Sequence, residues 1–171
     1  LVKTSAYRFK ELGCEIEEAC FDATDIQDII TGTRGFGMVA RYAERFDNFQ
    51  NLMTPQLINQ VSAALDLSVR DVVHSERLRT LYWHKVRKFM NDFEYIIAPV
   101  VGAPPFRLDE GLPTHVAGKA VDRFQDVFLS AYVFSVTGLP AISLPCGLTT
   151  DGRPVGMQII ARRHRDDQAI E

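Results

Sequence analysis

The 171-residue sequence is poor in the side chains that build disulfide frameworks and metal sites. Its three cysteines, Cys14, Cys20 and Cys146, are an odd number without a C-x-x-C pair, which argues against a disulfide framework and a thiolate zinc site. Its four histidines never lie three or four residues apart, so no two of them can ligate a metal from one helical face. We therefore expect no metal site and a reducing compartment.

Long apolar runs and an excess of positive charge are also missing. No segment approaches the roughly 18 apolar residues of a membrane span. Residues 1–12 carry Lys3, Arg8, Lys10 and Glu11 where a signal peptide would need an apolar stretch. The net charge of −3 provides no broad positive field for nucleic acid or anionic membranes. We expect a soluble, cytoplasmic protein that binds small molecules or protein surfaces, with neither nucleic acid nor membrane as a partner.

The sequence does contain enough apolar residues for a folded core. A hydrophobic fraction of 46% without a low-complexity tract fits one domain, which usually has roughly 100 to 200 residues. Residue 1 is leucine rather than methionine, and RDDQAIE at the other end has the acidic residues of a helix start. We expect residues 1–171 to be a portion of a larger domain, truncated at both ends.

The first part of the sequence is mostly helical in pattern. Residues 1–12 place apolar side chains at helical spacing and end at Gly13, a natural left-handed cap. The stretch CEIEEA at 14–19 alternates in the manner of a short strand. A helix is predicted to begin near Ile26 and to give way at the glycines of TGTRGFG, residues 31–37, before another helix resumes.

Two further helices have recognisable start signals. Thr54 followed by Pro55 is a cap with a first-turn proline. Ser68 with Asp71 three residues on is typical of a capping box, and the apolar spacing behind it predicts a helix that reaches Phe93.

The second half of the sequence contains the clearest strand signals. YIIAPVV at 95–101 has no periodicity, which predicts a strand buried on both faces in the middle of a sheet. AISLPCGL at 141–148 and PVGMQIIA at 154–161 are joined by a TTDG turn, which predicts a hairpin. Because helices and strands alternate, we expect an α/β fold with a mixed β-sheet flanked by helices.

The residues alone do not assemble a complete catalytic site. The sequence has no G-x-S-x-G elbow and no S-x-x-K pair for a serine nucleophile. Cys146 could act as a thiolate only with a base or cation beside it, and none adjoins it in sequence. A packed apolar cysteine is the favoured interpretation, and a thiol enzyme is the alternative.

Three segments together resemble a known family. They are YRFKELGCEIEEACFD at 7–22, FEYIIAPVVGAPPF at 93–106 and SVTGLPAISLPCGLTTDGRPVGMQIIA at 135–161, and the last resembles the C-terminal hallmark of the amidase signature family. The resemblance implies the hydrolysis or transfer of a carboxylic amide by a Ser, cis-Ser, Lys triad, with no cofactor and a small-molecule amide as substrate. The resemblance is also compatible with a homodimer.

The family's triad has no counterpart in these residues. Its two serines belong to a Gly/Ser-rich signature that precedes residues 1–171, its lysine precedes that signature, and no such run occurs between Leu1 and Glu171. The resemblance therefore implies that this chain supplies sheet strands and one wall of the substrate pocket. A missing N-terminal half would supply the catalytic residues, and the chain by itself is expected to be inactive.

A predicted helix over 121–136 carries the candidate pocket residues Phe124, Phe128 and Tyr132. At Phe128 the family's tRNA-amidating subunits usually carry an aspartate that binds glutamine, so the resemblance argues against that role. An aryl or otherwise apolar substrate is one interpretation of the three rings, and ordinary core packing is the other. For the whole chain, the alternative to an amidase portion is a non-catalytic binding or scaffold protein derived from an amidase.

Overall fold

The computed structural model describes residues 1–170. They form a helical unit, Asp22–Lys85, and a sheet unit, which is Leu1–Phe21 with the chain from Val86 onward. Among residues 1–170 we find no helix with both the length and the apolar composition of a membrane span. The elements are α1 (Val2–Tyr7), α2 (Ile26–Phe49), α3 (Pro55–Leu65), α4 (Val69–Phe89), β1 (Tyr95–Pro99), β2 (His115–Val116), β3 (Lys119–Ala120), α5 (Phe124–Val127), α6 (Leu129–Ser135), β4 (Ala141–Leu148), β5 (Pro154–Ala161) and α7 (Asp166–Ile170).

The helix starts predicted at Thr54 and Ser68 are confirmed. Thr54 Oγ1 accepts a hydrogen bond from the Leu57 N–H at 3.3 Å, which caps α3. At the start of α4 the Asp71 carboxylate accepts from the Ser68 N–H at 2.9 Å, and Ser68 Oγ accepts from the Asp71 N–H at 3.2 Å. These reciprocal bonds are a capping box, so both boundaries follow from local side-chain chemistry.

The helix break predicted at TGTRGFG is wrong, because α2 runs through these residues without interruption. Gly32 and Gly35 are buried, and each meets a side chain of the same unit. A Cβ on Gly32 would lie 2.1 Å from Ser75 Oγ, and a Cβ on Gly35 would lie 2.2 Å from Leu67 Cδ1. The two glycines therefore permit close packing within the helical unit rather than flexibility.

A small ion-pair cluster stands at the start of α2. Lys85 Nζ lies 2.7 Å from Asp22 Oδ2 and 3.0 Å from Asp25 Oδ2. The backbone N–H and the hydroxyl of Thr24 both donate to Asp22 Oδ1, at 3.0 and 2.8 Å. The Lys85 ammonium and the Thr24 donors hold the pKa of the Asp22 carboxyl well below its ordinary value. The same carboxylates raise the pKa of Lys85.

The main sheet has the order β1-β5-β4, and its described pairings are antiparallel. The predicted hairpin is confirmed as β4 and β5, with an irregularity of register between Pro145 and Gly147. The central position predicted for YIIAPVV is wrong, because among the described strands β1 pairs only with β5, and Tyr95 at its start is 41% exposed. β5 is the strand with partners on both sides, and it holds the buried residues Met157, Gln158, Ile160 and Ala161.

The strand predicted at 14–19 is also absent from the structure, where these residues are irregular and mostly exposed. Glu18 of this segment has side-chain partners near the N-terminus. Glu18 Oε1 lies 2.6 Å from Lys3 Nζ and accepts from the Tyr7 hydroxyl at 2.9 Å. The Glu18 side chain therefore links this segment to α1, and among the described residues the segment pairs with no strand.

The helix predicted over 121–136 is divided in two at Phe128. The Phe128 N–H donates to the Gln125 carbonyl at 3.0 Å, which closes α5 with a tight i−3 bond. The Phe128 carbonyl then accepts from the N–H groups of Ala131 and Tyr132, which begins α6. Phe128 therefore occupies a corner between two short helices, at φ −105° and ψ 15°.

We predict that Gly32→Ala destabilises the protein, because the new methyl group would overlap Ser75 Oγ and overpacking costs about 1–3 kcal/mol. Gly37→Ala is the matched control, since Gly37 lies in the same helix and a Cβ added there would have nothing within 4 Å. Alanine in an open helical position should stabilise by about 0.5–1 kcal/mol. The urea midpoint measures both, and equal effects of the two substitutions would contradict the close packing.

We predict that Asp22→Asn lowers the urea midpoint at pH 7 and that the difference from the parent protein closes as the pH falls. A carboxyl with a folded pKa below its ordinary 3.8 stabilises the fold above that value. It loses this contribution as the pH falls through the folded pKa, so the difference should shrink below about pH 4. Asp47→Asn, at an exposed position of α2, is the control. A difference that does not vary with pH would contradict the ion-pair account.

Candidate functional site

The structure brings two of the three predicted pocket residues into contact. The rings of Phe124 and Phe128 lie 4.8 Å apart between centroids, with planes inclined at 47°. Tyr132 lies one turn further on in α6, and its N–H donates to the Phe128 carbonyl at 3.2 Å. All three side chains are half-buried. Packing of this degree leaves part of each ring available to a ligand.

The loop that follows β1 packs on the same helices. The Gly102 N–H donates to the Val127 carbonyl at 3.2 Å, and Ser130 Oγ donates to the Val100 carbonyl at 2.9 Å. These bonds fix the GAPPF segment beside the corner that carries Phe128. The loop and the corner together form the candidate pocket wall, which we define as residues 99–106 and 124–132.

Gln158 is a functional candidate that the sequence pattern does not single out. It projects from β5, is only 6% exposed, and uses its Nε2 to donate to the carbonyls of Pro99 and Ser130 at 2.9 and 3.1 Å. One side chain thus bonds both parts of the pocket wall. The available signal is a lone amide in the apolar run PVGMQIIA, because a buried amide is stable only when it is hydrogen-bonded.

A second contact holds the end of the proline-rich loop. Arg153 Nη1 donates to the Pro105 carbonyl at 2.7 Å from the residue that precedes β5. In the chain, this loop is followed by β2 and β3, which come before α5. They form a two-stranded antiparallel ribbon that the sequence pattern does not predict. Its turn places Ala117 and Gly118 at φ 50° and 77°.

Cys146 lies at the irregularity of β4 and is half-buried. Its carbonyl accepts a hydrogen bond from Ser5 Oγ at 3.0 Å, so its backbone helps to hold α1 on the sheet. Among residues 1–170, no three His, Cys, Asp or Glu side chains form a group that could hold a metal.

Several serine hydroxyls of the chain are also committed to backbone bonds. Ser5, Ser75, Ser130 and Ser135 each donate to a main-chain carbonyl, at 2.7 to 3.0 Å. A hydroxyl becomes a nucleophile when a base accepts its proton, and these carbonyls are not bases. These four hydroxyls therefore serve as hydrogen-bond donors to the backbone.

Comparison with known proteins settles the family. A family model described as Amidase matches residues 20–170. The chain belongs to the amidase family. The resemblance to amidase signature enzymes stated from the sequence is confirmed, and so is the fold class, which combines helices with a sheet. The sequence predicts a mixed sheet, whereas the described pairings are antiparallel.

The amidase chain is similar to several longer proteins. It is 30% identical over 160 residues to an acylamidase of Rhodococcus erythropolis, covering 92% of the chain and 34% of that protein. It is 27% identical over 159 residues to a glutamyl-tRNA(Gln) amidotransferase subunit of Desulforapulum autotrophicum, covering 92% and 27%. A crystal structure of a bacterial aryl acylamidase of the amidase signature family superposes with a TM-score of 0.79 at 24% identity, covering 99% of the chain and 37% of that chain. The amidase chain thus spans about a third of the length of these relatives.

Proposed function

We propose that these residues are the C-terminal part of a hydrolase that cleaves carboxylic amide C–N bonds, and that they supply sheet scaffold and one wall of the substrate pocket. The main support is the match of residues 20–170 to the amidase family over only about a third of its relatives' length. In this proposal the Ser, cis-Ser, Lys triad lies in an N-terminal part outside residues 1–171, which alone are inactive. A cytoplasmic location belongs to the same proposal.

The chemistry explains why the two parts would need each other. A serine hydroxyl attacks an amide carbonyl only when a neutral base removes its proton, and lysine is neutral only where its surroundings depress its pKa. The serine oxygen then bonds to the acyl carbon, the amine leaves with a proton, and water releases the acid. Residues 1–171 would hold the substrate in place for attack, which raises the rate by orientation alone.

The half-buried pair Phe124 and Phe128 supports an aryl or otherwise apolar amide as substrate. Aromatic side chains with exposed faces offer a large apolar contact area, and small-molecule sites are mostly apolar with few polar groups. Two proteins to which the chain is similar are an acylamidase and an aryl acylamidase, in agreement with this proposal. A tRNA amidotransferase role has less support, because position 128 is a phenylalanine packed on Phe124.

The proposal is tested by an intact mass and an amidase assay on the natural protein. We expect a mass of roughly 50 kDa, about three small domains, or a co-purifying fragment beside the 19.3 kDa chain. This material should release 4-nitroaniline from 4′-nitroacetanilide, and residues 1–171 alone should not. Turnover by residues 1–171 alone would contradict the proposal that the catalytic residues lie outside them. Binding without turnover by the natural protein would favour the non-catalytic scaffold.

We predict that Phe128→Asp in the active protein lowers kcat/KM for 4′-nitroacetanilide relative to propionamide by about tenfold or more. The reason is that burying an aromatic group against a ring is worth about 1.5–3 kcal/mol, and a carboxylate there would have to be desolvated. Leu108→Asp adds the same charge at a side chain that is 98% exposed, and it should leave the ratio unchanged. An unchanged ratio in Phe128→Asp would show that Phe128 does not line the substrate pocket.

A further inference from the structure

The side-chain amide of Gln158 lies where the pocket wall leaves the sheet. Gln158 is paired with Ala98 in β1, and the next pair, Pro99 with Met157, is the last of that ladder. Beyond it the Val100 N–H reaches the Gly156 carbonyl only at 3.4 Å. Backbone pairing therefore stops holding the chain at the start of the proline-rich loop.

From this point on, hydrogen bonds from side chains to backbone carbonyls hold the chain. Gln158 Nε2 donates to the carbonyl of Pro99, the last residue of β1 before the loop, at 2.9 Å, and to the Ser130 carbonyl in α6 at 3.1 Å. Both N–H groups of the amide are thereby used, which is the full donor capacity of a glutamine side chain. Ser130 Oγ adds the bond to the Val100 carbonyl.

The bonds join the two parts of the pocket wall through a buried, hydrogen-bonded group. Because the amide is 6% exposed, water cannot easily replace either bond. Ser130 lies two residues after Phe128, so a shift of its carbonyl also moves the Phe128 ring. Gln158 thus adds a contact from β5 to the direct bonds between the loop and the helices, which are Gly102 N–H to the Val127 carbonyl and Ser130 Oγ to the Val100 carbonyl.

We propose that Gln158 is a positioning residue that sets the separation of the proline-rich loop from Phe128, and thereby the selectivity of the pocket for apolar acyl or aryl groups. This inference rests on the proposed function for the pocket wall. It adds a residue of the central strand, which would not touch substrate, as a determinant of the shape of the pocket.

The test compares Gln158→Met with the parent protein and with Gln168→Met, a substitution at an exposed position of α7. Methionine keeps the length and most of the volume of glutamine but has no N–H donor, so it separates packing from hydrogen bonding. Hydrogen exchange followed by mass spectrometry should show exchange about tenfold faster in residues 99–103 and 127–132, with the rest of the chain unchanged. Gln168→Met should exchange as the parent does.

The second measurement is substrate selectivity, which should not change if Gln158 only stabilises the fold. In Gln158→Met we expect KM for 4′-nitroacetanilide to rise about tenfold, equivalent to 1.4 kcal/mol, while kcat for propionamide changes less than about threefold. Calorimetric Kd values for acetanilide should shift as KM does. Ser130→Ala removes only the bond to the Val100 carbonyl, and it should move exchange and KM in the same direction by smaller factors.

Three results would overturn the inference. They are unchanged exchange in the wall of Gln158→Met, uniformly faster exchange over the whole chain, and locally faster exchange with unchanged selectivity in both KM and Kd. Failure of the proposed function itself has a different signature. In that case the parent protein does not hydrolyse either amide, whereas the exchange pattern and the Kd for acetanilide still decide whether Gln158 positions the wall.

Discussion

The sheet unit depends on one constraint, which is that the buried amide of Gln158 must be hydrogen-bonded inside an otherwise apolar strand. The Gln158 side chain is 6% exposed, so its amide needs protein partners in place of water. Its partners are the carbonyls of Pro99 and Ser130. The loop after β1 and the helices after Phe124 must therefore converge on the same face of β5, and that convergence creates the candidate pocket wall.

The features that sequence predicts correctly are those set by neighbouring residues. The caps at Thr54 and Ser68 depend on side chains within three positions, and the β4–β5 hairpin depends on a turn between two apolar runs. The errors concern partners that are distant in sequence. The glycines at 32 and 35 wrongly predict a break because Ser75 and Leu67, which they contact, cannot be identified from local pattern.

In the candidate site, too, sequence predicts local contacts but not contacts between distant residues. Spacing of four residues correctly places Phe124 beside Phe128, because that offset brings side chains together on a helix. The corner at Phe128 and the two bonds of Gln158 arise from tertiary contacts, so periodicity gives no sign of them. The family follows from motif order along the chain, and the match over residues 20–170 confirms it.

The central claim is that these residues shape the pocket and that another part of the protein reacts with the amide. The most direct measurement is labelling of the natural protein with an aryl fluorophosphonate, which forms a bond from an activated serine oxygen to phosphorus and releases fluoride. Mass spectrometry then locates the adduct. The account predicts loss of amidase activity with an adduct on a serine outside residues 1–171. An adduct on Cys146, or on any serine of this chain, formed in step with that loss would contradict it.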